Sequence, residues 1–352
     1  MRKKIWLAAL ALGIVATSCG KMEGQQIGGD NEEVVVNFSL GHATKATDGI
    51  DDDAINSAYV LAFDGDRLDG SAYVTTANGT IKVTEGSRRF LAIVNPNSEF
   101  NFTGVTTPAS VMALVSQLSS EGLADMVMIG DKTETITENT SVITIPVTRL
   151  VSKVSVNSLK FQFTGALAGK SVSNVALYVK NYPISQSYAG VVGNTYSSGL
   201  FAGNQASFEV YDYIGTMTDG TADTRCHQFF CYHRETSAAV TGSGAIRLCV
   251  KGDIDGHTYY WSLPVNNGNI WTASAFQSGD THFGVRRNHS YEYDITITRA
   301  GIPDDGNHPD PNDPGDIGGD ELEDDQDLTT SDLNFILTVV DFIEVDEQTV
   351  TF

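Results

Sequence analysis

Candidate metal ligands are concentrated in one short stretch of the sequence, "CHQFFCYH" at 226–233. If this stretch is a β-strand, His227, Cys231 and His233 point to the same face, because side chains alternate along a strand. Zinc sites usually draw their cysteines from pairs separated by two residues, and that spacing does not occur here. We therefore expect this stretch to bind no metal ion.

Patterns typical of catalytic loops are equally weak. "DGDRLDG" (64–70) has the composition of a calcium loop, but Leu68 and Asp69 occupy the positions that require an oxygen ligand and a glycine. The stretch is better explained as a hairpin connection. "TGSGA" (241–245) has part of the nucleophile motif of hydrolases without the strand-turn-helix context that the motif needs. We expect no catalytic residue and no cofactor, and we interpret the protein as a non-enzyme.

The charge of the chain is unevenly distributed. The formal net charge is -22, no Lys or Arg follows Arg299, and sixteen Asp and Glu lie beyond it. A nucleic-acid-binding protein needs a basic surface, and nothing in the sequence resembles such a basic footprint. The sequence therefore argues against nucleic acid as a partner.

Residues 1–18 have the pattern of a bacterial signal peptide. Basic residues (Arg2, Lys3 and Lys4) precede an apolar run that is too short to span a membrane as a stable helix. Small residues then lead directly to Cys19, as in the lipobox of a lipoprotein. We expect Cys19 to carry a lipid in the precursor, and the polar residues after it to form a flexible tether.

Three further cysteines are Cys226, Cys231 and Cys249. Export makes disulfides feasible, and an odd number leaves at least one thiol unpaired within the chain. The sequence allows a disulfide between Cys231 and Cys249 on neighbouring strands, or buried thiols.

Short runs rich in β-branched and aromatic residues, bounded by Gly, Asn or Asp, recur along the chain. The runs in the first half are 33–41, 57–64, 71–76, 80–84 and 89–95, followed by 141–163, which we interpret as two strands joined near Arg149. Similar runs continue beyond this point. The spacing predicts an all-β fold, a sandwich or a barrel, with two domains and a boundary near Arg149.

A single segment has the pattern of a helix. Thr107 is a candidate N-cap, Pro108 suits the first helical position, and Gly122 is a candidate stop. Apolar residues between them recur at helical spacing. We predict an amphipathic helix over about 108–119 that packs on a sheet.

The segment 303–332 is rich in Pro, Gly and Asp and cannot form a core. Fully extended, such a linker would reach on the order of 100 Å, and as a coil about 30 Å. The last segment, 333–352, could therefore leave its own domain or fold back onto it.

This last segment is apolar on both alternating faces, whereas a surface strand has one polar face. One face carries Phe335, Leu337, Val339, Ile343 and Val345, and the other carries Ile336, Val340 and Phe342. The pattern favours a strand that is buried on both sides in the groove of a neighbouring subunit.

Several stretches together resemble the type V pilins, or fimbrillins, of Bacteroidales, and most closely the stalk subunit of short fimbriae. The stretches are "ATSCGK", "VNFSLGHATKATD" (36–48), "MVMIGDK" (126–132), "ITIPVTRLVSKVSV" (143–156), "GVRRNHSYEYDITI" (284–297) and the acidic linker with its terminal strand.

The resemblance implies two transthyretin-like β-sandwich domains and assembly by donor-strand exchange. A trypsin-like protease would cut after Lys45 and before Ala46, which makes 19–45 a propeptide containing the removable first strand. The domains would then be 46–149 and 150–302. Arg is the better-known cleavage residue of the family, so Lys45 leaves the identity of the protease open.

The resemblance also implies partners and a location. The partners would be other copies of the chain, accessory fimbrial subunits, the processing protease, the outer membrane through the precursor's lipid, and host or bacterial surface ligands. The expected location is a cell-surface fimbrium that supports adhesion and biofilm formation. The alternatives are a fimbrial tip or anchor subunit and a surface glycan-binding lipoprotein.

Overall fold

A computed structural model describes most of the chain between Glu33 and Asp341. The described residues are 33–42, 54–96, 105–122, 125–193, 211–236, 244–266, 283–303 and 333–341. They belong to one compact unit. None of the helices in these ranges has the length and apolar character needed to cross a membrane.

The strands before residue 150 form most of one large sheet. They are β1 (Glu33–His42), β2 (Ala58–Asp64), β3 (Arg67–Val74), β4 (Asn78–Thr84), β5 (Gly86–Val94), β6 (Val115–Gln117), β7 (Met128–Ile136) and β8 (Val142–Arg149). Seven of them pair in the order β3-β2-β5-β7-β8-β1-β4. All neighbours are antiparallel except β8 and β1, which run parallel.

The two ends of this sheet lie against each other, so the sheet curls around its own interior. On β3, the Asp69 carboxylate accepts hydrogen bonds from the backbone N–H of Thr84 at 2.7 Å and from Arg88 Nε at 2.8 Å. Burial raises the pKa of Asp69, but the hydrogen bonds from Thr84 and Arg88, together with the Arg88 charge, lower it by more. A Cβ atom on Gly70 would lie 2.1 Å from the carbonyl oxygen of Lys82 on β4. The polar contacts and this close approach hold β3 beside β4.

Alternate residues of the curled sheet fill its interior. The buried members are Val36, Phe38, Leu40, Ala58, Val60, Ala62, Ile81, Val83, Phe90, Ala92, Val94, Met128, Ile136, Ile143, Ile145 and Val147. On the opposite face of β2 and β5, Leu61, Phe63, Leu91 and Ile93 belong to a second core. Burial on both faces explains the continuous apolar runs at 58–63 and 90–94.

The predicted helix exists but is shorter than expected. Helix α1 covers Pro108–Met112, with Thr107 as its N-cap. The prediction of a helix to residue 119 is wrong, because residues 115–117 form β6 and pair with a strand from the second half of the chain. Leu118–Ser120 then form a 3-10 turn. Strand pairing outweighed the helical spacing of the apolar residues.

Replacing Thr107 with Ala should destabilise the chain by about 1 kcal/mol. Thr107 Oγ1 accepts a hydrogen bond from the Ser110 backbone N–H at 3.1 Å, and Ser110 Oγ accepts one from the Thr107 N–H at 3.0 Å. The loss should appear as a lower midpoint in urea unfolding. Thr107→Ser retains the oxygen and should change the midpoint little; an equal loss in both variants would contradict the capping role.

The strands after residue 150 form two five-stranded sheets and contribute to two small strand pairs. They are β9 (Val151–Phe161), β10 (Ser171–Lys180), β11 (Ser185–Ser187), β12 (Tyr211–Thr218), β13 (Ala222–Asp223), β14 (His227–Tyr232), β15 (Arg234–Thr236), β16 (Arg247–Ile254), β17 (His257–Pro264), β18 (Phe283–Val285), β19 (His289–Ile297), β20 (Ile302–Pro303) and β21 (Leu333–Asp341). One sheet has the order β12-β10-β16-β17-β20, and the other has β13-β9-β19-β21 with β14 also paired to β9. The small pairs are β6 with β11 and β15 with β18.

A second core lies between these two sheets and extends to the outer face of the curled sheet. It includes Trp261, whose ring contacts Phe161 edge-on with centroids 5.4 Å apart, and it continues to Leu61 and Phe63 on β2. The predicted all-β sandwich fold with one short helix is confirmed. The predicted domain boundary near residue 149 stays a prediction.

The disulfide suggested for Cys231 and Cys249 does not form. Cys231 lies on β14 in one sheet and Cys249 on β16 in the other, so their strands are not neighbours. Leu248 and Val250 point into the second core, which leaves Cys249 on the opposite face beside Tyr178. Both thiols are buried, and burial raises the pKa of Cys231 to about 12.

Candidate functional site

Strand β1 fills the space between β8 and β4, which we call the β1 slot. It pairs in parallel with β8, from Asn37 opposite Val142 to His42 opposite Val147. It pairs antiparallel with β4, from Glu33 opposite Thr84 to Ser39 opposite Asn78. Both neighbours are distant in sequence from β1, so no hairpin holds the strand in place.

Three side chains anchor β1 in the slot. Val36, Phe38 and Leu40 point into the curled sheet and are at most 2% exposed. Val35, on the opposite face of the same strand, is 57% exposed. Burial of each inward side chain is worth about 1.5–3 kcal/mol before ordering costs, so the three dominate the attachment of the strand.

The Phe38 ring packs against β4 at a point where β4 requires a glycine. Phe38 lies opposite Gly79 on β4, and a Cβ atom on Gly79 would be 2.6 Å from Phe38 Cζ and 2.5 Å from Val74 Cγ1. Contacts this short cannot be tolerated without movement of the ring or the strand. Gly79 therefore shapes a recess for an aromatic side chain, and nothing in the spacing of the sequence indicated it.

Polar contacts fix the position of β1 along the slot. The Asn37 side-chain Nδ2 donates to the carbonyl oxygen of Ser141 at 3.0 Å, and the backbone N–H of Leu40 donates to Ala77 O at 2.7 Å. Lys82 and Glu33 form an ion pair at 3.3 Å, with both side chains more than 60% exposed. Such an exposed pair adds little stability.

Loss of β1 would expose a polar and an apolar surface at once. The facing edges of β4 and β8 would lose their backbone partners, and the core around Ile143 and Ile145 would lose its cover. Unpaired strand edges and exposed cores are both costly in water. The empty slot would therefore have a strong tendency to bind another strand.

The C-terminal strand β21 lies at the end of a sheet. It pairs antiparallel with β19, from Leu333 opposite Ile297 to Asp341 opposite His289. Within the described part of the chain, β19 is its only neighbour in the sheet order. In the single chain the segment thus folds back onto its own half, which is the other arrangement that the sequence allowed.

The structure describes only some of the other predicted site residues. Phe335, Ile336, Leu337, Val339 and Val340 lie in β21. The remaining ones, Cys19, Lys45, Ala46, Phe342, Ile343 and Val345, lie outside the described residues.

Most of the "CHQFFCYH" stretch, His227–Tyr232, forms β14, and its potential ligands have separate surroundings. His227 is buried and bonds Asp212 through Nδ1 and Asp223 through Nε2. A hydrogen bond from Arg225 is the main cause that lowers the pKa of Asp223 to about 2. His233 Nε2 lies 2.7 Å from Gly190 O. Over the described ranges, no three His, Cys, Asp or Glu side chains are grouped as a metal site would require.

Glu121 is a buried carboxyl that the sequence did not single out. It is 1% exposed and accepts hydrogen bonds from Tyr232 Oη, from Ser116 Oγ at 3.1 Å and from the Val127 N–H at 3.3 Å. Burial raises the pKa of Glu121 to about 7, although the three hydrogen bonds oppose the shift. Burial and the nearby Glu121 charge also raise the pKa values of Tyr188 and Tyr232. Glu121 thus connects the loop after β6 to the end of β14.

Comparison with solved structures identifies the fold. A fimbrilin from Porphyromonas gingivalis W83 superposes with a TM-score of 0.60 at 15% identity, over 89% of this chain and 99% of that one. The chain has the fold of a fimbrilin. A candidate cell adhesion protein from Parabacteroides distasonis gives a TM-score of 0.57 at 17% identity, over 90% and 98% of the two chains.

A third structure with this fimbrilin fold is a tip fimbrial protein of Porphyromonas gingivalis with a C-terminal truncation. Its TM-score is 0.50 at 12% identity, over 88% of this chain and 100% of that one. No protein-family model and no curated protein matches the sequence.

Proposed function

We propose that the chain is a structural subunit of a cell-surface fimbria, and that its copies join by donor-strand exchange after β1 is removed. The observation that carries the proposal is the position of β1. It is an interior strand of the sheet, yet it is the first strand described and Lys45 follows its end by three residues. One cut after Lys45 would separate β1 from the rest of the fold.

The proposed assembly step exchanges one strand for another. The protease hydrolyses the bond between Lys45 and Ala46, β1 leaves, and the C-terminal strand of a second copy enters the empty slot. Each subunit then donates at one end and accepts at the other, so the contact is head-to-tail and generates an open filament. Strand addition satisfies both the backbone edges and the apolar core.

The remaining parts of the proposal concern the precursor and the completion of the fibre. Cys19 would hold it on the outer membrane through its lipid, a trypsin-like protease would process it at the cell surface, and accessory subunits would end the fibre. Adhesion and biofilm formation would follow from the fibre. A glycan-binding role has less support, because Trp261 is buried and its Nε1 donates to Arg299 O at 3.0 Å.

Limited proteolysis tests the proposal directly. Residues 20–352, which contain the whole compact unit, are treated with trypsin and run on gels in cold detergent. We expect a trim at Lys45 followed by a ladder of polymers. Lys45→Ala should resist the trim and stay monomeric, and deletion of 333–352 should permit the trim but prevent the ladder.

Two results would overturn the proposal. One is a trimmed protein that stays monomeric, as expected for a tip or anchor subunit that does not polymerise with itself. The other is a ladder that persists after 333–352 is deleted.

A further inference from the structure

A five-residue pattern occurs twice in the chain, once in each strand that the proposed exchange involves. β1 contains "VNFSL" at 36–40, and β21 begins with "LNFIL" at 333–337. Both read as an aliphatic residue, Asn, Phe, a variable residue and Leu. The second copy has the same N-to-C order of residue types as the first.

Each fixed position of the first copy has a defined role in the β1 slot. The Phe38 ring fits the recess over Gly79, and the Asn37 side chain donates to Ser141 O. Val36 and Leu40 are buried on either side of the ring. The repeated positions thus supply the inward side chains and the Asn37 side-chain hydrogen bond in the slot. The variable position, Ser39, is not among the three inward residues.

We infer that "LNFIL" of one copy replaces "VNFSL" in the slot of the next copy. Phe335 then lies over Gly79, Asn334 takes the place of Asn37 beside Ser141, and the donor strand runs parallel to β8. The inference rests on the proposed function and adds to it the register and the direction of the incoming strand.

Most other registers place unsuitable residues in the core. A shift by two residues keeps Phe335, Leu337 and Val339 inward but puts Leu337, which has no ring, over Gly79. A shift by one residue turns Asn334 inward, because side chains alternate along a strand. The next aromatic candidate is Phe342; over Gly79 it would place Glu344 in the buried position of Leu40. Burial of an unpaired carboxylate is strongly unfavourable.

The charges at the rim of the slot also match this register. Val35 lies opposite Lys82 on β4, and both positions are exposed. In the inferred register Asp332 takes the place of Val35, so it lies directly opposite Lys82. Opposite charges at such a cross-strand position are favourable. Lys82 would lose Glu33 with β1 and gain Asp332 from the donor.

Cysteine cross-linking distinguishes this register from its neighbours. In the precursor, Val35 lies opposite Lys82 and Asn37 opposite Thr80. The inferred register therefore predicts disulfides between subunits for Lys82→Cys with Asp332→Cys, and for Thr80→Cys with Asn334→Cys. Directly opposed residues have Cα atoms about 4.5–5.5 Å apart, which a disulfide can bridge.

Exchange of the partners supplies the matched controls. Lys82→Cys with Asn334→Cys, and Thr80→Cys with Asp332→Cys, use the same four sites but are displaced by two residues, so their separation of about 7–8 Å is too large. All variants carry Cys226→Ser, because Cys226 is exposed. After trimming and mild oxidation, boiled non-reducing gels should show covalent ladders for the matched pairs alone.

The outcomes separate the register from the proposed function. If cold-detergent ladders form but the displaced pairs cross-link, or none of the four pairs does, the register is wrong and strand exchange stands. If the parent protein forms no ladder after trimming, strand exchange and the register fail together.

Discussion

Replacing Phe38 with Ala should lower the free energy of unfolding of the uncleaved chain by about 3–5 kcal/mol, as for other buried Phe to Ala changes. Phe38 is 2% exposed, and its ring is the one that fits the recess over Gly79. A loss of this size is a large share of the stability of a typical domain. Urea unfolding of residues 20–352 measures it.

The same change should have no effect on an assembled fibre. Residue 38 belongs to the segment that the proposed cut removes, so fibres made from the Phe38→Ala chain should melt at the parent temperature. Val35→Ala is the matched control on the exposed face of β1 and should shift stability by less than about 0.5 kcal/mol. A similar loss for both variants would mean that the inward face of β1 does not hold the strand.

Replacing Glu121 with Gln should stabilise the uncleaved chain at neutral pH and change it much less at pH 4. The pKa of Glu121 is raised from an ordinary value of 4.5 to about 7 by burial. Below pH 4.5 the carboxyl is protonated whether the chain is folded or unfolded, so its burial costs no charge. Between pH 4.5 and 7 the unfolded chain ionises first, and stability falls as the pH rises.

Above pH 7 the full free-energy cost of burying the ionised Glu121 carboxylate is present, and this cost should be on the order of 3 kcal/mol. Glutamine has the same shape and cannot ionise, so its advantage over the parent should grow across this window and then level off. The measurement is urea unfolding of both proteins from pH 4 to 8. His233, whose pKa burial lowers, titrates in both proteins, and its contribution cancels in the difference.

A flat difference between the two proteins across the same pH range would contradict this prediction. It would mean that Glu121 ionises as it does in water. Tyr232→Phe provides a second check, because it removes one hydrogen bond that opposes the shift. The pH window of the parent should then move upward.

Local patterns predicted the strands well where one physical cause dominated. β1, β8 and β9 were predicted within one or two residues, because each is a run of β-branched residues bounded by turn residues or by the junction near Arg149. The N-cap Thr107 was also correct, since capping depends on neighbours in sequence. The length of helix α1 was wrong because the pairing of β6 with β11 joins residues about seventy positions apart.

The site was predictable only in outline. Apolar patterning and family resemblance indicated β1 as the strand to be removed and the C-terminal segment as its replacement. Contacts between distant segments create the rest of the site: the parallel pairing of β1 with β8, the recess at Gly79 and the buried Glu121. No single-residue signal marks such contacts. The suggested disulfide failed for the same reason, since the sequence did not assign Cys231 and Cys249 to separate sheets.

The contact between β3 and β4 has a consequence for the proposed assembly at the cell surface. Asp69 and Gly70 bring the two outermost strands of the curled sheet together, so neither presents a long open edge to other chains. Open edges invite indiscriminate pairing and aggregation. Under the proposed function, β1 and this contact would protect the precursor against premature association during secretion, and a single proteolytic cut would decide when and where an acceptor becomes available.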